Sequence, residues 1–335
     1  IKRDLKRRFM DLSSSTPPAT TLPGMLCDAA WQRMQKGMPS LTIISCDNLS
    51  SNGKSLKGAL LEFAALADEQ LGSWMEQHLH CPNTVVDCIV PRVTAEQVQR
   101  VQSTLDIDDE VPVLCEPFRQ WVIASKELED SPAWELAGAE LVEDSKLYEE
   151  QKLRILNASH SALAYLGLLQ GCRWVSDAMA RKNIRKQLNS LMEEIFQSFA
   201  DQTSARRYFG KVVERFENPA MQHALTQIGS DGSNKIPLRW APSILINQHN
   251  DRELAGFANV IAAWLACWHL LPDEQIRGMT DPAEKNIKLL AEQLSQSQTD
   301  TDLWQKLLGV EPNAIVKQQT LAAFSKLAQQ AASPA

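Results

Sequence analysis

Lys152, Asn157 and His160 stand at i, i+5 and i+8 in the stretch from Lys152 to Gly167, which holds no proline and is built mostly of good helix formers. At roughly 100° per residue the three spread over an arc of about 140°, so one helix can turn an amine, an amide and an imidazole towards one pocket. Proton transfer needs such a set on a rigid element, because the geometry then exists before a substrate arrives. Leu153, Ile155, Leu156, Leu163 and Leu166 give the same helix an apolar face for packing. The pattern taken alone equally describes a core helix with a snorkelling lysine and a satisfied histidine.

The elements that would position this helix fall into two blocks. Residues 22–125 alternate helix and strand. A helix over 22–36 is closed by Gly37, a strand over 41–46 ends in the polar turn Asp47 to Gly53, and a long helix covers 55–79. A strand over 84–90 is closed by Pro91, a helix over 94–104 starts at Thr94 with Gln97 completing a capping box, and strands follow at 111–114 and 120–124. That alternation predicts a parallel sheet wound with helices. From residue 145 onward the pattern is helical only, over 145–169, 173–200, 203–217, 218–228, 251–270, 283–296, 301–308 and 314–332, with Gly229 to Pro237 as an interrupting loop. Residues 1–10 read as a basic helix and 13–21 as a loop. The expected fold class is therefore α/β plus all-α: a partial Rossmann-type parallel sheet domain over 1–143, then an all-helical domain over 144–335. Ligands of open α/β sheets bind beyond the carboxyl ends of the strands, which is where Asn48 and Asp87 fall.

Composition excludes several classes. The formal net charge of −7 argues against a nucleic-acid binder, whose affinity comes from neutralising phosphates. No run of about 18 apolar residues predicts a membrane span. The seven cysteines form no Cys-x-x-Cys pair, and several lie in apolar runs, which reads as reduced core thiols of a cytoplasmic protein. No metal site is expected, since His78 and His80 beside Cys81 point to different sides of most backbones. No Gly-x-Ser-x-Gly turn suggests a hydrolase. The chain opens with Ile1 in charged, helix-like sequence and looks like the later part of a longer protein.

Four motifs follow one another in order: Ser45-Cys-Asp-Asn48-Leu with Asn52-Gly53 after it; Pro82-Asn-Thr-Val-Val-Asp87-Cys-Ile-Val-Pro91; Glu116-Pro-Phe-Arg-Gln-Trp-Val-Ile123; and Lys152, Asn157 and His160. Together they resemble the polyol-specific long-chain dehydrogenase/reductase family, which includes mannitol 2-dehydrogenase, fructuronate reductase and tagaturonate reductase. Asn218-Pro219 followed by Asp231-Gly-Ser-Asn-Lys235-Ile-Pro237 is similar to a further signature of that family. The runs Cys115 to Ile123 and Leu156 to Gly167 lean towards fructuronate reductase.

The resemblance implies a Rossmann-type domain followed by a helical one. It also implies NAD or NADP as cofactor, NAD being favoured, no catalytic metal, and a small sugar acid or polyol as substrate. Lys152 then matches the general acid/base, and Asn157 and His160 match ligands of the substrate oxygen. Asn48 matches the residue that holds the reactive oxygen on the cofactor side, with Asp87 as a neighbouring substrate-binding support. The chemistry agrees: a secondary alcohol needs a base for its proton, and a ketone needs an acid and donors around the developing alkoxide. A free lysine titrates near ~10.4, and burial beside positive charge would bring it into a useful range. Arg119, Arg154, Lys235 and Arg239 are candidates for a substrate carboxylate, Lys235 foremost by its motif. Glu149, one turn before Lys152, is a candidate proton outlet or a solvated helix partner. Cys88 stands where the family has arginine, and Ala124 where it often has glutamate. No Gly-x-Gly-x-x-Gly turn occurs in the 335 residues, although that turn is what grips a pyrophosphate. A second reading is thus a non-catalytic family remnant, and a third a phosphogluconate-type dehydrogenase with a similar helical domain.

Overall fold

The computed structural model describes residues 21–332 apart from 125, 127, 129, 130, 300 and 301. The expected helix over 1–10 and most of the loop after it lie outside the described residues. The chain divides into two compact units, Ile1–Cys88 with Arg119–Glu149, and Ile89–Phe118 with Glu150–Ala335. Residues 89–118 therefore group with the helices, although sequence order sets them in the first domain.

In the first unit, α1 (Leu22–Gln35) starts at Thr21, whose hydroxyl accepts from Gly24 N, and ends before Gly37 at φ +58°. The single helix expected over 55–79 is two, α2 (Asn52–Ala67) and α3 (Glu69–His78). The break is Asp68, which is extended at φ −155° and caps α3 by accepting from Leu71 N at 2.8 Å. Cys27, Leu60, Leu71 and Met75 pack the core of this unit. The expected strand over 41–46 shortens to β1 (Leu41–Thr42), which pairs parallel with β2 (Leu79–His80). A separate mixed sheet joins β3 (Thr84–Asp87) antiparallel to β4 (Gln120–Ala124), and β4 parallel to β5 (Glu140–Val142). Two of the three pairings are thus parallel, each with a strand the sequence does not predict (β2 or β5), whereas the two expected strands β3 and β4 pair antiparallel.

In the second unit, α4 (Ala95–Leu105) has the predicted capping box, with Thr94 N donating to Gln97 Oε1 and Gln97 N to Thr94 Oγ1. The strand expected at 111–114 does not form. Pro112 has no N–H to give a ladder, and Val111 and Val113 stand 80% and 71% exposed with no strand beside them among the described residues. Then follow α5 (Lys146–Gln151), a π-helical turn (Lys152–Asn157) and α6 (Ala158–Leu168), one continuous helix whose first residues belong to the other unit. The helix expected over 173–200 breaks at extended Arg181 into α7 (Val175–Ala180) and α8 (Lys182–Gln197), and α9 (Gln202–Phe216) comes next. Of the helix expected at 218–228 only α10 (Leu225–Gly229) exists, because Asn218 Oδ1 accepts from Ala220 N and makes a turn around Pro219. The loop expected at 229–237 is instead mostly helix α11 (Gly232–Arg239), followed by α12 (Ala241–His249).

Helix α13 (Ala255–Leu270) is buried on nearly every side, and α6, α8, α14 (Glu284–Ser295) and α16 (Ala314–Ala332) surround it, with α15 (Leu303–Leu308) beside α11 and α14. No helix of the described residues is long and apolar enough to cross a membrane.

Candidate active site

The site helix is not an ideal α-helix where it matters. Over Lys152–Asn157 it widens to i→i+5 bonding, with Ala158 N reaching back to Leu153 O. An ideal helix would hold residues five apart about 140° from each other, whereas the π register stacks i+5 nearly over i. Lys152 and Asn157 are thereby drawn to the same face. Lys152, Asn157 and His160 are all buried.

His160 sits against the Phe216 ring, stacked at 4.2 Å, and meets His223 edge-on at 5.3 Å. Its Nε2 is shut from solvent with no hydrogen-bond partner among the described residues, and so is His223 Nδ1. Burial first, then His223, Arg239, Arg215 and Lys235, hold His160 well below the usual imidazole range. Burial and the Lys235 charge take His223 down to about 4. Both rings are therefore neutral at ordinary pH, each with one N–H and one lone pair to offer an oxygen.

The signature Asp231-Gly-Ser-Asn-Lys235-Ile-Pro237 builds α11 rather than a loop. Asp231 is left-handed at φ +60°, and a Cβ on Gly232 would meet Tyr165 Oη at 2.4 Å, so only glycine lets this turn close on the core. Ser233 binds Asp281 through both its amide at 2.8 Å and its hydroxyl at 2.5 Å. Lys235 Nζ donates to Ile228 O at 3.3 Å and Ser230 O at 2.6 Å, closing the end of α10. Arg239, at the last turn of α11, donates through Nη1 to Asn157 O at 3.2 Å and Ser161 Oγ at 2.7 Å. Arg154 serves the opposite side of the helix. It donates to Ser243 Oγ at 3.1 Å, to Ser198 O at 3.0 Å and to Glu150 at 3.3 Å, and its guanidinium lies 4.1 Å over Phe199. It is a packing cation.

Glu116 and Arg215 form a buried two-point ion pair, Nε to Oε2 at 2.9 Å and Nη2 to Oε1 at 2.6 Å. Glu116 Oε1 also accepts from Ile89 N at 2.6 Å, and Phe118 lies 4.1 Å under the guanidinium. The Glu116-Pro-Phe motif thus fastens segment 89–118 onto α9, and the bonds of Arg92 N to Gln227 and of Gln97 to Gln222 add to this, which is why it groups with the helices.

In the first unit, Asn48 is exposed in the loop after β1, and Asp87 is buried at the end of β3 opposite Gln120. Asn52 holds that loop: its Nδ2 donates to Ser45 O at 3.1 Å, Asp47 O at 3.0 Å and Thr84 Oγ1 at 2.9 Å, while its Oδ1 accepts from Thr84 N at 2.9 Å. Glu149 accepts from the Ser50 hydroxyl and from Ser51 N at 3.2 Å, so it is tied to this loop rather than free to relay protons. Arg119 is exposed just before β4.

Asn52, His223 and the Glu116–Arg215 pair escape assignment from sequence. Asn52 and Glu116 lie inside quoted motifs and Arg215 and His223 outside them, and hydrophobic periodicity carries no signal for a polar tie. Among the described residues no cluster of His, Cys, Asp or Glu could hold a metal ion.

A dinucleotide needs glycines that let a pyrophosphate approach a helix N-terminus. Gly53 at the start of α2 does not serve this, since its Cβ position is filled by Cys81 O at 2.3 Å and Pro82 O at 2.4 Å. Among the described residues Gly53 thus offers no room for a pyrophosphate, while the amine, amide and imidazole on the helix have the chemistry of proton handling.

A sheet-bearing unit with a helical one carrying an amine, an amide and an imidazole is the layout of an alcohol dehydrogenase of the long-chain kind. Residues 16–136 match the mannitol dehydrogenase Rossmann domain and residues 144–327 the mannitol dehydrogenase C-terminal domain. The chain belongs to the mannitol dehydrogenase family. It is 37% identical over 261 residues to the uncharacterized oxidoreductase YeiQ of Escherichia coli, covering 77% of this chain and 53% of that protein. It is 36% identical over 258 residues to D-mannonate oxidoreductase of the same organism, covering 76% and 53%. The solved ternary complex of Pseudomonas fluorescens mannitol 2-dehydrogenase with NAD and D-mannitol superposes with a TM-score of 0.74 at 32% identity, covering 97% of this chain and 66% of that one. The chain thus spans about half the length of the curated relatives it matches.

Proposed function

We propose that this chain carries the acid/base and substrate-binding part of a nicotinamide-dependent oxidoreductase that interconverts a secondary alcohol and a ketone of a sugar acid or polyol. NAD is favoured over NADP, in line with the Pseudomonas fluorescens complex. The observation that carries the reading is the π turn, which brings buried Lys152 and Asn157 to one face, a short way before a buried His160 whose Nε2 has no partner among the described residues. The cofactor, when bound, supplies or accepts hydride. Lys152 Nζ gives a proton to the carbonyl oxygen in reduction and takes it back in oxidation. The Asn157 amide donates to that oxygen as charge develops, and neutral His160 orients a neighbouring hydroxyl. The roles of Asn48 and Asp87 rest on their motifs.

A keto-sugar acid of the fructuronate type is favoured, because Arg215, Lys235 and Arg239 all act on His160 and leave its surroundings cationic. A polyol is the second reading. It is favoured by Lys235 and Arg239 already donating to backbone carbonyls rather than standing ready for a carboxylate. Initial rates with fructuronate, tagaturonate, fructose and mannitol, each with both cofactors, decide between them. Seven free thiols, four of them buried, support a reducing compartment such as the cytoplasm. In the full-length protein, Lys152→Ala is expected to lower kcat by about 10²–10⁴-fold while the Kd for NAD changes little. An unchanged kcat sinks the assignment of Lys152, and no NAD binding by calorimetry in the unsubstituted protein would favour a non-catalytic remnant.

A further inference from the structure

A π turn forgoes the regular i→i+4 bonds of the helix around it, so it persists only where neighbours hold it in place. Here the neighbours can be named. Within the turn the Ser159 hydroxyl donates to Ile155 O at 2.5 Å. From outside, two successive residues of another segment reach in: Arg239 Nη1 donates to Asn157 O at 3.2 Å, and Trp240 Nε1 to Ala158 O at 3.4 Å. The same Nη1 also donates to Ser161 Oγ at 2.7 Å, so the guanidinium bridges the last π residue and the first turn of α6. The aim of Arg239 is fixed upstream by left-handed Asp231, by Gly232 closed on Tyr165, and by Ser233 bound to Asp281.

We infer that Arg239 is a positioning residue: by clipping the Asn157 carbonyl to Ser161 it holds the π turn that sets Lys152 and Asn157 on one face. This rests on the proposed acid/base role of that face. Arg239 does not reach the reacting atoms and acts through the backbone of Asn157. Its charge has a second effect: it adds to burial, the larger cause, in holding His160 below the usual imidazole range. A lysine at 239 would keep the charge but not the rigid planar placement of Nη1, whose two N–H groups serve both acceptors at once.

The test is amide hydrogen exchange and steady-state kinetics on Arg239→Gln, Arg239→Lys and Ser161→Ala in the full-length protein. Arg239→Gln is expected to speed exchange about tenfold over residues 157–162 while α13 and α8 keep their protection. It should also lower kcat about 100-fold, as a displacement of about 1 Å at a reacting centre does, with KM within about threefold. Arg239→Lys should recover part of both losses, and Ser161→Ala should show the same exchange pattern more weakly. The inference is overturned if Arg239→Gln leaves both exchange over 157–162 and kcat unchanged. It is equally overturned if exchange rises uniformly through the helical unit with kcat intact, the signature of stability alone. Should Arg239→Gln fail to fold, the exchange pattern of Ser161→Ala decides. Lys152→Ala is expected to leave exchange at 157–162 unaltered, so a failure of the acid/base reading shows in its kcat and a failure of this one in the exchange.

Discussion

The loop that carries Asn48 and the turn that carries Lys152 are held in opposite ways. The loop over Ser45 to Ser51 is held chiefly by polar ties: Asn52 makes four hydrogen bonds to Ser45, Asp47 and Thr84, the Thr84 hydroxyl donates to Ser45 O at 2.6 Å, and Glu149 accepts from Ser50 and Ser51. The turn over Lys152–Asn157 is surrounded: Arg154 anchors one side to Ser198 and Ser243, Arg239 and Trp240 hold the other, and Ile155 and Leu156 sit in the core. The turn proposed to carry the acid/base is thus enclosed within the helical unit, while Asn48 lies exposed in a loop of the other unit. Enclosure suits groups proposed to move protons, which gain from pre-organisation, and exposure leaves a loop more adjustable.

The contrast can be broken from either end. The largest expected effect lies in the helical unit, at the buried Glu116–Arg215 pair. Arg215→Met removes the cation that faces the buried Glu116 carboxylate, which keeps its bond from Ile89 N, and should cost about 3–5 kcal/mol. Hydrogen exchange should rise over residues 89–118 and stay unchanged at Ser45 to Ser51. Equal exchange in both segments would show that Glu116 and Arg215 do not fasten that segment. A smaller effect is expected at Asn52→Ala. It removes the Asn52 bonds to Asp47 O, Thr84 N and Thr84 Oγ1, while Ser45 O keeps the Thr84 hydroxyl at 2.6 Å, for about 1–3 kcal/mol. Exchange and proteolytic nicking should then appear in the Asn48 loop while the Lys152–Asn157 turn keeps its protection. Release of both together would contradict the separation.

Much of this was legible in residues whose chemistry is local. Thr94 and Gln97 announce a capping box, Gly37 a helix end, and the even apolar run from Val260 to Leu271 a buried helix, because caps and burial depend on a few adjacent side chains. The motif order through Asn48, Asp87, Glu116 and Lys152 announced the family. What stayed illegible depends on partners far off in the chain. The π turn cannot be read from good helix formers, since it needs Arg239 some eighty residues on. The break at Asp68 was hidden because its neighbours favour helix and only its cap geometry opposes it. Val111 to Leu114 read as a strand on β-branched composition, but a strand needs a partner and composition does not supply one. Asp231 to Pro237 read as a loop because glycine, serine, asparagine and proline favour turns, and tertiary bonds to Asp281 and Tyr165 override that preference.

The smallest expected effect tests whether the enclosed unit is held equally well at every pH. Glu194 on α8 is buried, and it accepts from Gly256 N at 2.6 Å and Phe257 N at 3.0 Å, capping from a neighbouring helix the start of α13, which has no side-chain cap of its own. Burial raises its carboxyl from the ordinary 4.5 to about 7, and the two backbone donors only partly offset this. A carboxyl raised in the folded state takes up a proton on folding between those values. Its favourable contribution is therefore complete below about pH 4.5 and is lost as pH rises through about 7. At pH 8.5 the native protein carries that buried charge at a cost of at most about 3 kcal/mol. Glu194→Gln, neutral at every pH, should match the unsubstituted Tm near pH 5 and exceed it by several degrees at pH 8.5. Tm curves that run parallel across that range would mean Glu194 titrates normally, and that the helical unit owes its hold on the π turn to packing at all pH values.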